Sequence, residues 1–553
     1  MLSIFADWIY ILFTTFCIGF GFFVFVEKVL HYKVQRMDSI LVAGLAIATV
    51  YAQIFSLFYR VSLEANICML AVCFAIAIIW RKQIVVFLRT AFQNCSWSRR
   101  IIIPILLLAW CYCTSWGYMV TDTDLYHAQS IRWIEEYGVV KGQGLLNARF
   151  AYNSAFFSLS ALYSLKFLWG HSLHAVNGWI AFVLSVGQLD LGKCFKRKKM
   201  NLSDFARVAA VYYLTLIWDD IIAPSPDFAV MCILFFIVIK WLTQLEDSEY
   251  GDNIAPYSLL CVLGVYALTL KLSAGLILIL LLKPAYVLLK EGRWKEILLY
   301  LALGLVTAVP WMTRTVFISG WLFYPFTALD LFSVDWKMRD VGDINSDATL
   351  IKIWAKAANE MGIDVPVRQW FPHWFATTLS FSQKMIVAGS LTSCVLMPAV
   401  MIWNMIKKRW KQLDVILVFL MIIISYLFWQ FTAPMPRYGY VYMLLLPALT
   451  AGYLLGNSRI RMLVYVFLAA FGIHKMYVYY DYFISSYLVA AYVWQADYHT
   501  FEMEPYDLDG VTIYIQSEQV SGYGPFPATE GRVIEAGLEL RGDGIKDGFR
   551  MKY

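Results

Sequence analysis

The sequence predicts an all-α polytopic membrane protein, and three observations carry that prediction. Hydrophobic residues fill 60% of the 553 positions and aromatic residues 17%, while only 15% are charged, too few to cover a water-facing surface; the mean hydropathy of +0.61 agrees. The apolar residues fall into about fourteen runs of membrane-crossing length, at 4–26, 40–59, 66–80, 101–119, 172–192, 203–218, 228–244, 256–270, 272–289, 296–318, 384–406, 413–431, 438–456 and 462–479. The cations behind the net charge of +6 lie in short clusters between those runs, as expected of cytoplasmic loops and not of a nucleic-acid-binding surface.

In chain order, residues 1–99 form an N-terminal extension of three spans, 100–479 the main transmembrane domain, and 480–553 a small outer domain or tail. The start, Met1 to Asp7, lacks a basic segment and runs straight into a span, so no cleavable leader is expected. Six basic clusters orient the spans: Lys28/Lys33/Arg36, Arg81/Lys82/Arg89/Arg99/Arg100, Lys193/Lys196/Arg197/Lys198/Lys199, Lys290/Arg293/Lys295, Lys407/Lys408/Arg409/Lys411 and Arg459/Arg461. With all six in the cytoplasm, both termini lie outside, and the acidic loop 246–252 falls inside, which the rule tolerates. That parity decides two ambiguous stretches. The apolar run 151–169 becomes a second surface-lying helix instead of a span, and 256–289 becomes two spans meeting near Lys271. The ten cysteines sit in spans or inner loops, so disulfides are not expected. After the last span Gly, Pro, Asp and Glu return, and Val511 to Ile515 reads as a short strand.

The stretch from Thr121 to Gly138 asks for a chemical explanation. Asp122 and Asp124 follow a span directly, and an amphipathic pattern with Tyr126, Trp133 and Tyr137 on one face predicts a helix lying along the membrane surface. Both acids could merely cap that helix, but capping needs only one, and a carboxylate at the mouth of a bilayer can act as a general base on a lipid-anchored substrate. The same outer face receives Asp227 after Pro224-Ser-Pro226, Lys271 in its apolar hairpin, Arg314 after Pro310-Trp311, the long loop 319–383 with its helix-compatible run 351–358, and Arg437-Tyr438 after Pro434 and Pro436. Each has a plain alternative: Asp227 as a cap, Lys271 as a solvated hairpin tip, the arginines as interfacial anchors. Guanidinium groups also suit phosphate, and the convergence on one face is the strongest functional signal. His127, His171, His174 and His373 share no metal-ligand spacing and read as structural, with His127 kept beside Tyr126 among the substrate-binding candidates. There is no Walker loop, nucleophile elbow or nucleotide fingerprint.

In order and placement these residues resemble the GT-C superfamily of integral membrane glycosyltransferases. The resemblance rests on Asp122 with Tyr126 four residues on, the two surface-lying helices of the first outer loop (121–171), Pro310-Trp-x-x-Arg314 followed by Ser319-Gly320 and Tyr324-Pro325, and Arg437-Tyr438. The run from Asp122 to Trp133 with Asn153-Ser154 is similar to an uncharacterised bacterial family of polytopic proteins thought to share that architecture. The resemblance covers roughly 100–456 and implies a bacterial inner-membrane enzyme of cell-envelope polysaccharide biosynthesis, a hexosyl- or pentosyltransferase with its active site facing the periplasm. It implies a polyprenyl-phosphate-linked sugar as donor and a glycan, lipid or protein as acceptor. Asp122 or Asp124 would be the base, and Lys271, Arg314 or Arg437 would neutralise the phosphate. No cofactor is implied with certainty, and a divalent cation stays open. A transporter or flippase of lipid-linked glycans and a glycan polymerase or ligase are the alternatives; a transporter should carry inverted repeats and broken helices with midplane polar residues, which are not evident.

Overall fold

Each of the fourteen apolar runs contains a helix in the computed structural model, which describes residues 1–197, 199–246, 253–339, 349–357, 365–407, 413–455, 461–486, 492–516 and 520–552. The expectations placed on 247–252, on Lys198, Lys408, Arg409, Lys411 and Arg459, and on the end of 351–358 lie outside the described residues. Among the described residues, eight helices are long and apolar enough to cross a membrane: Leu2–Leu30 (α1), Met37–Ser56 (α2), Pro226–Glu246, Leu272–Lys290, Trp294–Ser319, Phe381–Ile406, Val415–Thr432 and Pro436–Leu455. A ninth is counted if Leu63–Ile79 (α3) and Arg81–Asn94 (α4), bent by 82°, make one span. Of the five expected spans outside this count, Val176–Gln188, Leu202–Leu216 and Ala255–Leu270 are apolar but have only 13, 15 and 16 residues, short of a full crossing, while Trp97–Ser115 and Arg461–Ser486 are longer helices.

The N-terminal helices are held by a crossing of small residues. A Cβ on Gly44 of α2 would lie 1.8 Å from the Thr15 carbonyl oxygen of α1, and one on Gly19 would lie 2.0 Å from that of Ile40. Only glycine allows two backbones in an apolar medium to approach so closely.

The predicted break near Lys271 is present. Lys271 is extended (φ −155°, ψ 124°) between Ala255–Leu270 and a ten-residue 3₁₀ segment, Leu272–Leu281, that continues as α-helix to Lys290. A cation cannot continue an apolar face, so the chain kinks and delivers the side chain to the helix end.

The first outer loop departs from expectation. Its second helix, Ala155–Leu162 (α7), does not lie on a surface: all eight residues are buried, Ser158 and Ser160 included. The run has no charged face to give to water, so it packs inside the bundle. The first helix, Ala128–Glu136 (α6), is amphipathic, but it too is enclosed, with Ile131 and Ile134 against the main core. Trp133 enters a second core with Phe150, Leu508, Ile513, Leu540 and Phe549. Its polar residues bond to both sides: Glu135 accepts from Ser172 Oγ before Val176–Gln188 at 2.6 Å and from Tyr523 OH of the tail at 2.5 Å, and Gln129 accepts from the tail's Ala528 N–H at 2.9 Å. The helix is therefore sandwiched between the bundle and the C-terminal residues and not laid on lipid.

Those residues form two small sheets. Glu504–Leu508 (β1) pairs antiparallel with Val511–Gln516 (β2), which pairs parallel with Ala528–Glu530 (β3), and Leu538–Leu540 (β4) pairs antiparallel with Phe549–Met551 (β5). The β1–β2 turn is Asp509-Gly510, with both φ angles positive at 52° and 86°, the dipeptide that a two-residue hairpin favours.

Gly44→Val should cost at least 1–3 kcal/mol through overpacking. Thermal unfolding in detergent measures it, and an unchanged melting temperature would show that α1 and α2 do not touch there.

A candidate charged site at the helix ends

Four segments bring one charged residue each to a common point. Asp122 precedes a π-turn, Thr123–His127, that leads into α6; wide turns of this kind re-aim side chains and recur at functional sites. Its carboxylate caps nothing and instead accepts from Arg437 Nη2, 315 residues away in sequence. Arg437 stands in the first turn of Pro436–Leu455, where Pro436 suits the first helical position. The preceding turn is fixed by Trp429, whose Nε1 donates to the Met435 carbonyl at 2.9 Å. Gly439 makes room for that ring, since a Cβ there would sit 2.5 Å from it. Asp227 lies in the first turn of Pro226–Glu246, after a loop held by Asn177 Nδ2 donating to the carbonyls of Ala223 (2.8 Å) and Ser225 (2.9 Å). Lys271 arrives from the break.

Opposite charges alternate along the cluster. Lys271 Nζ pairs with Asp227 Oδ1, and Arg437 Nε lies 3.7 Å from Asp227 Oδ2. Tyr438 contacts both cations: Lys271 Nζ is 3.8 Å from its ring centre, and its hydroxyl accepts from Arg437 Nη2 at 3.0 Å. Asp227 is the inner member at 8% side-chain exposure, while Asp122, Arg437 and Lys271 keep 22–27%, so the cluster opens on one side. Arg437 Nε is buried and makes no hydrogen bond.

Tyr126 and His127 flank the cluster. The two rings meet edge to face at 4.4 Å. Desolvation first, then the carboxylate of Asp122, pushes the Tyr126 phenol well above its ordinary value, which keeps it a proton donor. His127 is 2% exposed and its Nδ1 has no hydrogen bond. Burial pushes it down to about 3, with Asp227 pulling up and Arg437 and Lys271 pulling down, so the imidazole is neutral.

Two predicted residues stand apart. Asp124 pairs with His499 Nδ1 at 2.9 Å, and its backbone carbonyl accepts from the Ser521 and Gly522 N–H groups at 2.8 Å each. Arg314 is 2% exposed and pairs with no carboxylate among the described residues. It donates to Ser56 Oγ and, through Nε, to Asn153 Oδ1 at 3.2 Å. The next residue, Ser154, donates to the Leu270 carbonyl at 2.7 Å, so Arg314 braces the backbone that presents Lys271 instead of facing the same opening.

Sequence reasoning passed over two residues. His499 follows the last helix and no local pattern marks it. Asp220 was visible as part of the Asp219-Asp220 doublet; burial, then the Asp219 carboxylate, pushes it up to about 6, with Arg437 pulling down. Among the described residues no group of three or more His, Cys, Asp or Glu side chains could hold a metal ion.

With this geometry in place, comparison with known families gives one match: residues 1–444 fit the family described as Domain of unknown function (DUF8201). The chain belongs to the DUF8201 family. No match was found among curated proteins or solved structures. In this DUF8201 protein the matched residues contain Asp122, Asp227, Lys271, Arg437 and Tyr438, whereas His499 lies beyond them.

An exposed imidazole titrates near 6.5. A folded value lowered to about 3 means that the stability tied to neutral His127 is complete above about pH 6.5 and drains away as the pH falls toward 3. At pH 4.5 the loss is of order 2 kcal/mol. Asp220 works in the opposite sense, since its raised carboxyl makes the folded state bind more protons between about pH 4 and 6. The melting temperature should therefore fall less between pH 7 and 4.5 in His127→Gln than in the wild type, and parallel curves would contradict a buried neutral ring.

Proposed function

We propose that this chain is a GT-C-like membrane glycosyltransferase with about fourteen spans, which moves a sugar from a polyprenyl-phosphate carrier to a glycan, lipid or protein acceptor at the periplasmic face of a bacterial inner membrane. The observation that carries this reading is the cluster Asp122–Arg437–Asp227–Lys271, assembled from four segments at the ends of apolar helices. An anchored donor needs cations at the level of its phosphate and a base beside the acceptor, and the cluster offers both.

In the proposed step an acceptor hydroxyl oxygen attacks the anomeric carbon. The bond from that carbon to the phosphate oxygen breaks, its electron pair leaves with the polyprenyl phosphate, and the hydroxyl proton passes to a carboxylate. Arg437 and Lys271 take the leaving phosphate, and the Arg437 Nε–H, which has no hydrogen bond of its own, supplies one to it. Asp122 is the base of choice. It accepts from Arg437 in the resting arrangement; once phosphate competes for that guanidinium, the carboxylate is left to take the proton of the arriving acceptor. Tyr126, still protonated, can donate to the sugar or the phosphate. Asp124, held by His499 apart from the cluster, is the alternative base.

The test is turnover of a polyprenyl-phosphate hexose by the full chain in vesicles, read as released polyprenyl phosphate together with a new glycosidic bond. Asp122→Asn should lower the rate about 10²–10⁴-fold, and Arg437→Gln should lower it comparably, with both variants monodisperse and inserted. Full turnover in both Asp122→Asn and Asp124→Asn would refute the assignment of the base. Movement of the lipid-linked sugar across sealed vesicles with no new bond would refute the transferase reading.

A further inference from the structure

The opposite end of the bundle carries a second charged region that the transferase reading does not use. The Pro226–Glu246 helix joins the two ends: Asp227 is in its first turn and Lys240 lies thirteen residues on, about 20 Å along the axis. There Lys240 Nζ donates to both carboxylate oxygens of Asp38 at 2.8 Å. Arg36 spans Asp38 and Asp190, and Arg99 and Lys193 also reach Asp190, at 2.6 and 3.2 Å.

Beside this network α1, α4, the helix Trp97–Ser115 (α5) and Val176–Gln188 enclose a groove of about 1420 Å³. Most of its length is apolar, with Leu12, Phe20, Leu107 and Phe182 in the wall. Its basic end is lined by Lys28, Lys33, Arg36, Lys82, Arg99 and Lys193, against only Glu27 and Asp38. Arg36, Arg99 and Lys193 are balanced in part by Asp190 behind them, which leaves Lys28 and Lys82 to give this long apolar trough a cationic end that complements a molecule with apolar tails and an anionic head.

The orientation of α4 points the same way. This helix turns 82° away from α3, and Phe87 pins it to Phe16 and Phe20 of α1 at ring distances of 6.1 and 5.8 Å. Lys82, Gln83, Thr90 and Asn94 of this helix line the groove together with the apolar Phe87 and Ala91, while Val85, Leu88 and Phe92 are exposed. This helix thus covers the groove, with Lys82 at the basic end and Phe87 and Ala91 along the apolar stretch.

We infer that the groove holds an anionic phospholipid of the bilayer, its phosphate among Lys28, Lys82 and Arg99 and its acyl chains along α1, α5 and Val176–Gln188. The site is remote from Asp122 and stands independently of the transferase reading. Lys28 and Lys82 form no ion pair among the described residues, so replacing them leaves the Asp38 and Asp190 network intact.

The experiment titrates the delipidated full-length protein with dioleoyl phosphatidylglycerol or dioleoyl phosphatidylcholine and counts retained lipid by native mass spectrometry. One phosphatidylglycerol should be retained at least tenfold more tightly than phosphatidylcholine. The double variant Lys28→Gln/Lys82→Gln should weaken that binding about 25-fold, roughly fivefold per cation. Ala91→Trp, which fills the groove without changing charge, should abolish it, and thermal unfolding checks that each variant is folded. Equal retention of the two lipids, or unchanged phosphatidylglycerol binding in the folded double variant, overturns the proposal. So does a polyprenyl phosphate that displaces phosphatidylglycerol with tenfold higher affinity, which would make the carrier the occupant.

Discussion

Arg437 stands at the start of a helix, where the backbone already presents positive charge, and Lys271 interrupts an apolar run. Both cations are held beside an anion, which offsets part of the cost of removing a charge from water. Asp227 serves both cations from its place between them, and Asp122 completes the set from the loop before α6. Since these four residues come from four segments, charge compensation fixes the level at which the segments meet. The glycine at 439, the proline at 436 and the asparagine at 177 are the local means by which the backbone complies.

The C-terminal residues close the same level from the other side. They hold α6 through Trp133 in the shared core, through Glu135 and Gln129, and through Arg132, which donates to the Tyr523 carbonyl at 2.6 Å and stacks on the Tyr523 and Phe526 rings. His499 then reaches Asp124. The stretch from Thr121 to Gly138 is thus clamped between the bundle and the tail, and two carboxylates two residues apart acquire different partners: the guanidinium of Arg437 for Asp122 and the imidazole of His499 for Asp124.

Much of this was legible in the chain. Helical runs follow from hydrophobicity, and the break at Lys271 follows from a lone cation in an apolar stretch; both are local signals. Asp122, Asp227, Lys271, Arg437 and Tyr438 could be nominated because polar residues at the ends of apolar runs are costly and therefore stand out. What could not be read was pairing across hundreds of residues, such as His499 with Asp124. The burial of α7 was misjudged because an apolar run with two serines looks the same whether lipid or protein covers it. Trp133 and Tyr137 looked like membrane-interface aromatics, and the cover turned out to be the tail. Arg314 shows the limit of motif reading: its position beside Pro310 and Trp311 suggested an opening, but Ser56 and Asn153 keep it inside.

The segment after Lys271 is wound more tightly than its neighbours over ten residues before it relaxes into ordinary α-helix. A 3₁₀ segment rises about 2.0 Å per residue against 1.5 Å, so Leu272–Lys290 extends over about 33 Å instead of about 28 Å. That added reach matches a hydrocarbon thickness of about 30 Å. Nineteen residues so wound reach across a layer of that thickness with a few ångströms to spare.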